Sequence, residues 1–319
     1  MNVRRRLIPG TAVAAATAVA LGTLSACSSA DAAAGNTDKY DVVTSFYPMT
    51  FLAERIGGSH VHVTTLTSPG QEPHDLEISA QQTVGLQKSD AVLYLKGLQP
   101  AVDSAVAQSG PRTRIDAAAL TTLEVHGNEV GGHAAAHDGH RGEESGAKDP
   151  HVWLDPVRYA QIAEGVGKAF EKGDPEHAAD YRRNTAALVG QLHDLDERFA
   201  KGLAGTRSKV FITTHAAFGY LAERYGLTQE AISGLDPESE PSAARVRDLQ
   251  KTAKADGVTT VFYETLVSDR TARTVAGDAG LRTDVLDPIE GITKKSRGTD
   301  YLSVQEANLK ALRQALGAE

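Results

Sequence analysis

The chain has 319 residues, with 33 Lys plus Arg against 41 Asp plus Glu and a formal net charge of −8. So acidic a balance excludes nucleic acid as a natural partner and fits cation capture only weakly, since solubility alone would explain it. One cysteine, Cys27, rules out an intrachain disulfide.

The N-terminus has the three-part build of a secretory signal. Arg4, Arg5 and Arg6 form a basic start, and Leu7 to Gly22 is an Ala-rich apolar run too short for a comfortable membrane span. Leu24-Ser25-Ala26-Cys27 then reads as a lipobox. The expectation is a lipoprotein signal peptide over 1–26, a lipid on Cys27 and a tether over 27–38; an uncleaved anchor helix is the alternative. Removing residues 1–26 takes away three arginines and no acid, leaving 30 basic and 41 acidic side chains, a net of −11. The remainder, about 290 residues, exceeds one typical core, so two domains are expected. No later apolar run is long enough to cross a bilayer, and Cys27 is spoken for, so no cysteine is left to ligate a metal.

From residue 39 the pattern alternates between strands and helices. Asp41–Phe46 predicts a strand, Pro48–Ile56 a helix stopped by Gly57 and Gly58, and His60–Leu66 a strand. Residues 79–88 predict a helix, Ala91–Leu95 a strand, and 100–109 a helix ending at Gly110-Pro111. Residues 127–148 break the pattern with Gly, Ala, His and acids and almost no apolar side chain; they cannot bury a core and predict a mobile surface loop. Regular structure resumes at Pro156. A long helix is expected from about Glu176 to Lys201, with Tyr181, Leu188, Leu192, Leu195 and Phe199 at helical spacing, Pro175 at its start and Gly202 at its end.

The alternation then restarts. Strands are predicted at Val210–Thr214, Thr228–Ile232, Val258–Glu264 and Arg282–Leu286. Helices are predicted at Phe218–Tyr225, Pro241–Ala255, Ser268–Ala279 and Tyr301–Leu316, the last burying Leu302, Leu309, Leu312 and Leu316. The fold class is α/β: two lobes, each a mostly parallel sheet flanked by helices, joined by one long linking helix. The expected units are an N-terminal lobe over 39–173, a linking helix over 174–204 and a C-terminal lobe over 205–319.

Three histidines occupy three differently built contexts. His74 sits in a Pro/Gly-marked loop after a strand. His151 sits between two Asp-Pro pairs and beside Trp153, the single tryptophan. His215 ends an apolar strand, where open α/β sheets bind ligands. Each taken alone has a blander reading as a surface, packing or helix-capping residue. Jointly they fit a zinc site, because neutral imidazole is the commonest metal ligand and three of them with a carboxylate make a tetrahedron. Asp287 and Glu290, in the loop after the strand ending at Leu286, are the carboxylate candidates. His126, His133, His137 and His140 place four of the chain's 11 histidines in 15 residues, on a Gly/Ala backbone that suits weak auxiliary metal binding rather than an ordered tetrahedron.

A catalytic zinc site also uses three histidines, with an open fourth position. Yet His-Glu-x-x-His, the Gly-x-Ser-x-Gly elbow and the phosphate-binding Gly-rich loop are all absent. No residue is placed as a general base beside the histidines.

The chain resembles the metal-binding lipoproteins of bacterial ABC importers, the cluster A-I solute-binding proteins for zinc and manganese. The resemblance is carried by Ser45-Phe46-Tyr47-Pro48, Ala53-Glu54-Arg55-Ile56-Gly57-Gly58, Pro73-His74-Asp75-Leu76-Glu77, Asp149-Pro150-His151-Val152-Trp153-Leu154-Asp155-Pro156, Thr214-His215-Ala216-Ala217-Phe218-Gly219-Tyr220 and Leu286-Asp287-Pro288-Ile289-Glu290. It implies a metal held between two lobes, with His74 and His151 from the first. It also implies that the third ligand separates subgroups, glutamate in manganese binders and histidine in zinc binders; here it is His215. The His-rich loop is a second zinc-type feature. For the fourth ligand the resemblance leaves Glu290, Asp287 or water, with Glu290 favoured.

The expectation is therefore a monomeric, non-enzymatic protein, anchored by lipid on Cys27 to the outer face of the cell membrane. It would capture Zn²⁺ with His74, His151, His215 and Glu290 and deliver it to an ABC permease and its ATPase. The alternatives are manganese or another divalent metal in the same family, a lipid-anchored zinc hydrolase, and a surface adhesin, a label sometimes attached to this family that nothing in the sequence supports.

Overall fold

The computed structural model describes residues 39–318 apart from 110, 128 and 131–147. The signal peptide, the tether, Cys27, His133, His137 and His140 lie outside the described residues.

The first half builds a four-stranded sheet. β1 (Tyr40–Thr44) is followed by α1 (Tyr47–Gly57), β2 (Val61–Thr65), α2 (Ala80–Lys88), β3 (Ala91–Tyr94), α3 (Pro100–Ser109) and β4 (Thr113–Asp116). The strand order is β2-β1-β3-β4 and every pairing is parallel, with Val42 opposite Val63 and Val43 opposite Val92. The helices start where their caps dictate. Pro48 opens α1, and Ser79 caps α2 by accepting from the Gln82 N–H while the Gln82 side chain returns to the Ser79 N–H.

β5 (Glu129–Val130), α4 (Pro156–Gly173), α5 (Ala178–Leu203), β6 (Val210–Thr213), α6 (Gly219–Arg224), β7 (Thr228–Ala231), α7 (Ala243–Ala255), β8 (Thr260–Tyr263), α8 (Arg270–Ala279), β9 (Arg282–Val285) and α9 (Tyr301–Leu316) complete the chain. The second sheet has the order β5-β7-β6-β8-β9. β6 to β9 are parallel, and β5 runs antiparallel to β7 at the edge.

α5 is 26 residues long and buries Tyr181, Leu188, Leu192, Leu195 and Phe199, the stripe the periodicity predicts, and Leu203 beyond it. It packs against α1 and α4 on one side and α9 on the other. One apolar core therefore runs from Val42, Phe46 and Leu93 through the α5 stripe to Phe211, Leu286 and Leu312. Two smaller clusters lie on the outer faces of the sheets, around Val92 and around Val261. Among the described residues no helix is long and apolar enough to cross a membrane.

Four local expectations differ from the structure. β4 escapes the sequence pattern because Ile115 is its one buried apolar residue. Glu129 and Val130, inside the segment expected to be a loop, pair with Gln229 and Glu230 as an edge strand; backbone pairing needs no apolar side chain. α5 continues through Gly202 to Leu203 instead of stopping there; α9 packs so close that a Cβ at 202 would lie 3.0 Å from Leu309, so the glycine makes room for a neighbour and does not end the helix. In α9, Leu302 is only half-buried; Tyr301, Val304 and Asn308 join Leu309, Leu312 and Leu316 on the buried face.

Candidate metal centre

Four loops at the carboxyl side of strands or before helices converge on one point. His74 comes from the loop between β2 and α2, His151 from the turn before the 3-10 helix Val152–Leu154, His215 from the loop after β6 and Glu290 from the loop after β9. One ligand atom from each lies within 4.8 Å of the others. Glu290 Oε1 stands 3.3 Å from His74 Nε2, 3.3 Å from His151 Nε2 and 3.7 Å from His215 Nε2. The Nε2 atoms of His151 and His215 are 3.3 Å apart. A tetrahedral zinc with bonds near 2.0–2.1 Å separates its ligand atoms by about 3.3 Å, and these four separations are close to that edge length.

The imidazoles are held from behind. His151 Nδ1 donates to Asp149 Oδ1 at 2.8 Å, and His215 Nδ1 donates to Glu264 Oε1 at 2.6 Å. A carboxylate on Nδ1 keeps the proton there and turns the Nε2 lone pair toward the centre, the arrangement found around metal-ligating histidines. Asp149 also accepts the His151 backbone N–H at 2.9 Å. Thr214 donates its hydroxyl to the same Glu264 oxygen. β8 lies between β6 and β9 in the sheet, so Glu264, just past its end, sits between the loops carrying His215 and Glu290. His74 is placed through its backbone: its N–H donates to Glu72 at 3.0 Å.

The turn that aims Glu290 is strained and braced. Ile289 has φ +60°, a conformation costly for a β-branched residue. Asp287 Oδ1 accepts the Ile289 N–H at 2.8 Å, and its Oδ2 accepts the Thr265 hydroxyl at 3.0 Å. Asp287 is thus engaged in shaping the turn and is not among the grouped ligand atoms. Trp153 Nε1 donates to the Pro288 carbonyl at 2.7 Å, and Tyr301 donates its hydroxyl to the Trp153 carbonyl at 2.6 Å. The tryptophan beside His151 therefore positions the Glu290 turn of the other half.

The centre is arranged to hold positive charge. Burial alone would favour neutral groups, but the hydrogen bonds and charges of Asp149 and Glu290 outweigh it and push His151 up to about 9. Burial likewise opposes ionisation of Glu290, and the surrounding imidazoles overcome it and hold its carboxyl well below the usual range. His215 is raised, with Glu264 and Glu290 outweighing its burial. Burial and the charge of Glu290 raise Glu72, and burial raises Asp287.

Sequence reasoning named the four grouped residues but missed Asp149 and Glu264 as positioning groups. An acid closing an apolar strand at the carboxyl edge of the sheet was the available signal for Glu264. His126, grouped by sequence with the Gly/Ala loop, is packed instead: its side chain is 7% exposed and its Nδ1 donates to Asp149 Oδ2 at 2.7 Å, behind His151.

The family model described as "Zinc-uptake complex component A periplasmic" matches residues 42–315. The zinc-binding lipoprotein AdcA of Streptococcus pneumoniae is 35% identical over 302 residues, covering 93% of this chain and 59% of that protein. The chain therefore spans about three-fifths of that relative's length. The high-affinity zinc uptake system protein ZnuA of Bacillus subtilis is 33% identical, with 88% of each chain covered. The crystal structure of the Zn(II)-bound ZnuA-like domain of S. pneumoniae AdcA superposes with a TM-score of 0.71 at 34% identity, covering 87% of this chain and 99% of that one. Both relatives are named for binding or taking up zinc, and neither is named as an enzyme.

Proposed function

The chain belongs to the zinc-uptake complex component A family, and from that premise we propose that it captures Zn²⁺ outside the cytoplasm and delivers it to an ABC permease and its ATPase. His74, His151, His215 and Glu290 are the ligands. The observation that carries the reading is the spacing of three Nε2 atoms about one carboxylate oxygen, with two of the back nitrogens fixed by buried carboxylates. Four protein ligands fill a tetrahedron and leave no position for an activated water, which suits capture rather than hydrolysis. Three imidazoles favour borderline Zn²⁺ over Mn²⁺, which prefers oxygen.

In this reading residues 39–173, apart from the β5 edge strand that joins the second sheet, and 205–319 act as two lobes, α5 within 174–204 links them, and the metal lies between them. A lipid on Cys27 keeps the monomer at the outer face of the membrane. Loop histidines His133, His137 and His140 gather zinc weakly without entering the tetrahedron. Competition titration of the purified protein should give one tight Zn²⁺ per chain and much weaker Mn²⁺ binding. A preference for Mn²⁺, or hydrolase activity lost with the metal, would overturn it.

A further inference from the structure

Among the described residues a second group of metal-ligating side chains comes together away from the tetrahedral centre: Glu124, His126 and Glu223, whose ligand atoms lie within 4.8 Å of one another. Glu124 and His126 follow β4, and Glu223 lies on α6. The His126 ring is built in. It packs edge-on against Tyr220 with centroids 4.5 Å apart. Its close neighbour Gly219 has no side chain, and a Cβ there would lie 2.5 Å from the ring.

Nδ1 of His126 is engaged with the buried Asp149, which leaves Nε2 as the ring nitrogen turned away from it. Nε2 faces Glu223 Oε2 at 3.6 Å, too far for a hydrogen bond. A carboxylate behind the imidazole and acids in front is the arrangement that prepares a histidine for a cation. The same Asp149 backs His151.

Arg158 supplies the balancing charge. Its guanidinium donates to Glu124 and stands 4.0 Å from Glu223 Oε2. It also has other partners to fall back on: the Thr122 carbonyl at 2.6 Å, Asp155 Oδ2 at 3.4 Å and the face of Tyr220 at 5.1 Å. A dication entering between the two glutamates would displace Arg158 toward those partners, and that competition keeps binding weak and reversible.

We propose that Glu124, His126 and Glu223 form a second, weaker divalent-cation site of one imidazole and two carboxylates, suited to Zn²⁺ and kept labile by Arg158. Glu223 is half exposed, so solvent completes the coordination. The site shares no ligand with the tetrahedral centre, and its test reads a different histidine.

The test is a Zn²⁺ titration of the full chain, followed by the imidazole nitrogen resonances of His126, His74 and His151. The first equivalent should move His74 and His151. Excess Zn²⁺ should then move His126 Nε2. Glu223→Gln should weaken the His126 event by about tenfold or more and leave the first equivalent unchanged. Arg158→Gln should strengthen it by removing the competing cation. A His126 resonance that stays still in excess Zn²⁺ while other histidines respond would overturn the site, as would an equal response in wild type and Glu223→Gln. Neither outcome touches the tight centre, whose failure would show in His74 and His151.

Discussion

Glu264 shows how much a residue that touches no metal can contribute. It is buried, fixes the His215 tautomer and accepts the Thr214 hydroxyl through the same oxygen. Glu264→Gln keeps the shape and removes the charge. Zinc affinity should fall by about 10–100-fold, the usual cost of losing a group that orients a ligand, and a metal-competition titration reads it directly. Glu290→Ala should weaken zinc by a similar 10–100-fold or so, since water can replace an oxygen ligand, whereas His74→Ala, His151→Ala and His215→Ala should each cost more. At this scale the three grouped histidines were legible because each stands in a loop marked by Pro, Gly or a strand end. Asp149 and Glu264 were not picked out: an acid in a turn has the same local signature whether it faces solvent or the back of an imidazole, and the strand-end position of Glu264 names no partner. Only the fold puts Glu264 beside a histidine 49 residues away.

At the scale of elements, the loop after β9 combines strain with bracing. Asp287 satisfies the Ile289 N–H in a left-handed backbone conformation, while Asn308 on α9 accepts the Asp287 N–H at 2.9 Å and donates to its carbonyl at 2.7 Å. Asp287→Ala would leave the buried Ile289 N–H and Thr265 hydroxyl without that partner, at about 1–3 kcal/mol. It should lower the melting temperature of the metal-free protein and weaken zinc binding as well. Unchanged zinc affinity would mean that the turn holds Glu290 without Asp287. The long elements read well from sequence. α5 and α9 carry several turns of apolar periodicity, and that signal survives small errors at the ends. β4 and β5 did not read, because β4 buries a single apolar residue, Ile115, while β5 is two residues long and its partner β7 lies far along the chain.

At the scale of the molecule, the four grouped side chains come from both halves of the chain, and those halves are tied by Trp153 on the Pro288 carbonyl and the Tyr220 hydroxyl donating to the Asp149 carbonyl at 2.7 Å. Zinc bound here favours the folded state by mass action. At free metal about 1,000-fold above the dissociation constant the gain is about 4 kcal/mol, so a chelator should lower the melting temperature of the loaded protein markedly. The acidic, His-rich segment is a separate contribution. Deleting residues 127–148 should remove part of the weak zinc binding and leave the tight equivalent intact on calorimetry; loss of the tight equivalent would show that the segment supplies a ligand to it.

The proposed zinc capture requires His74, His151, His215 and Glu290 to close around one ion. The most direct measurement is a crystal structure of the zinc-loaded protein. It should show a single tetrahedral ion bound by three Nε2 atoms at about 2.0–2.1 Å and one Glu290 oxygen at about 2.0–2.2 Å. Zinc held by Asp287, or by water with Glu290 turned away, or without any one of the three histidines, would contradict it.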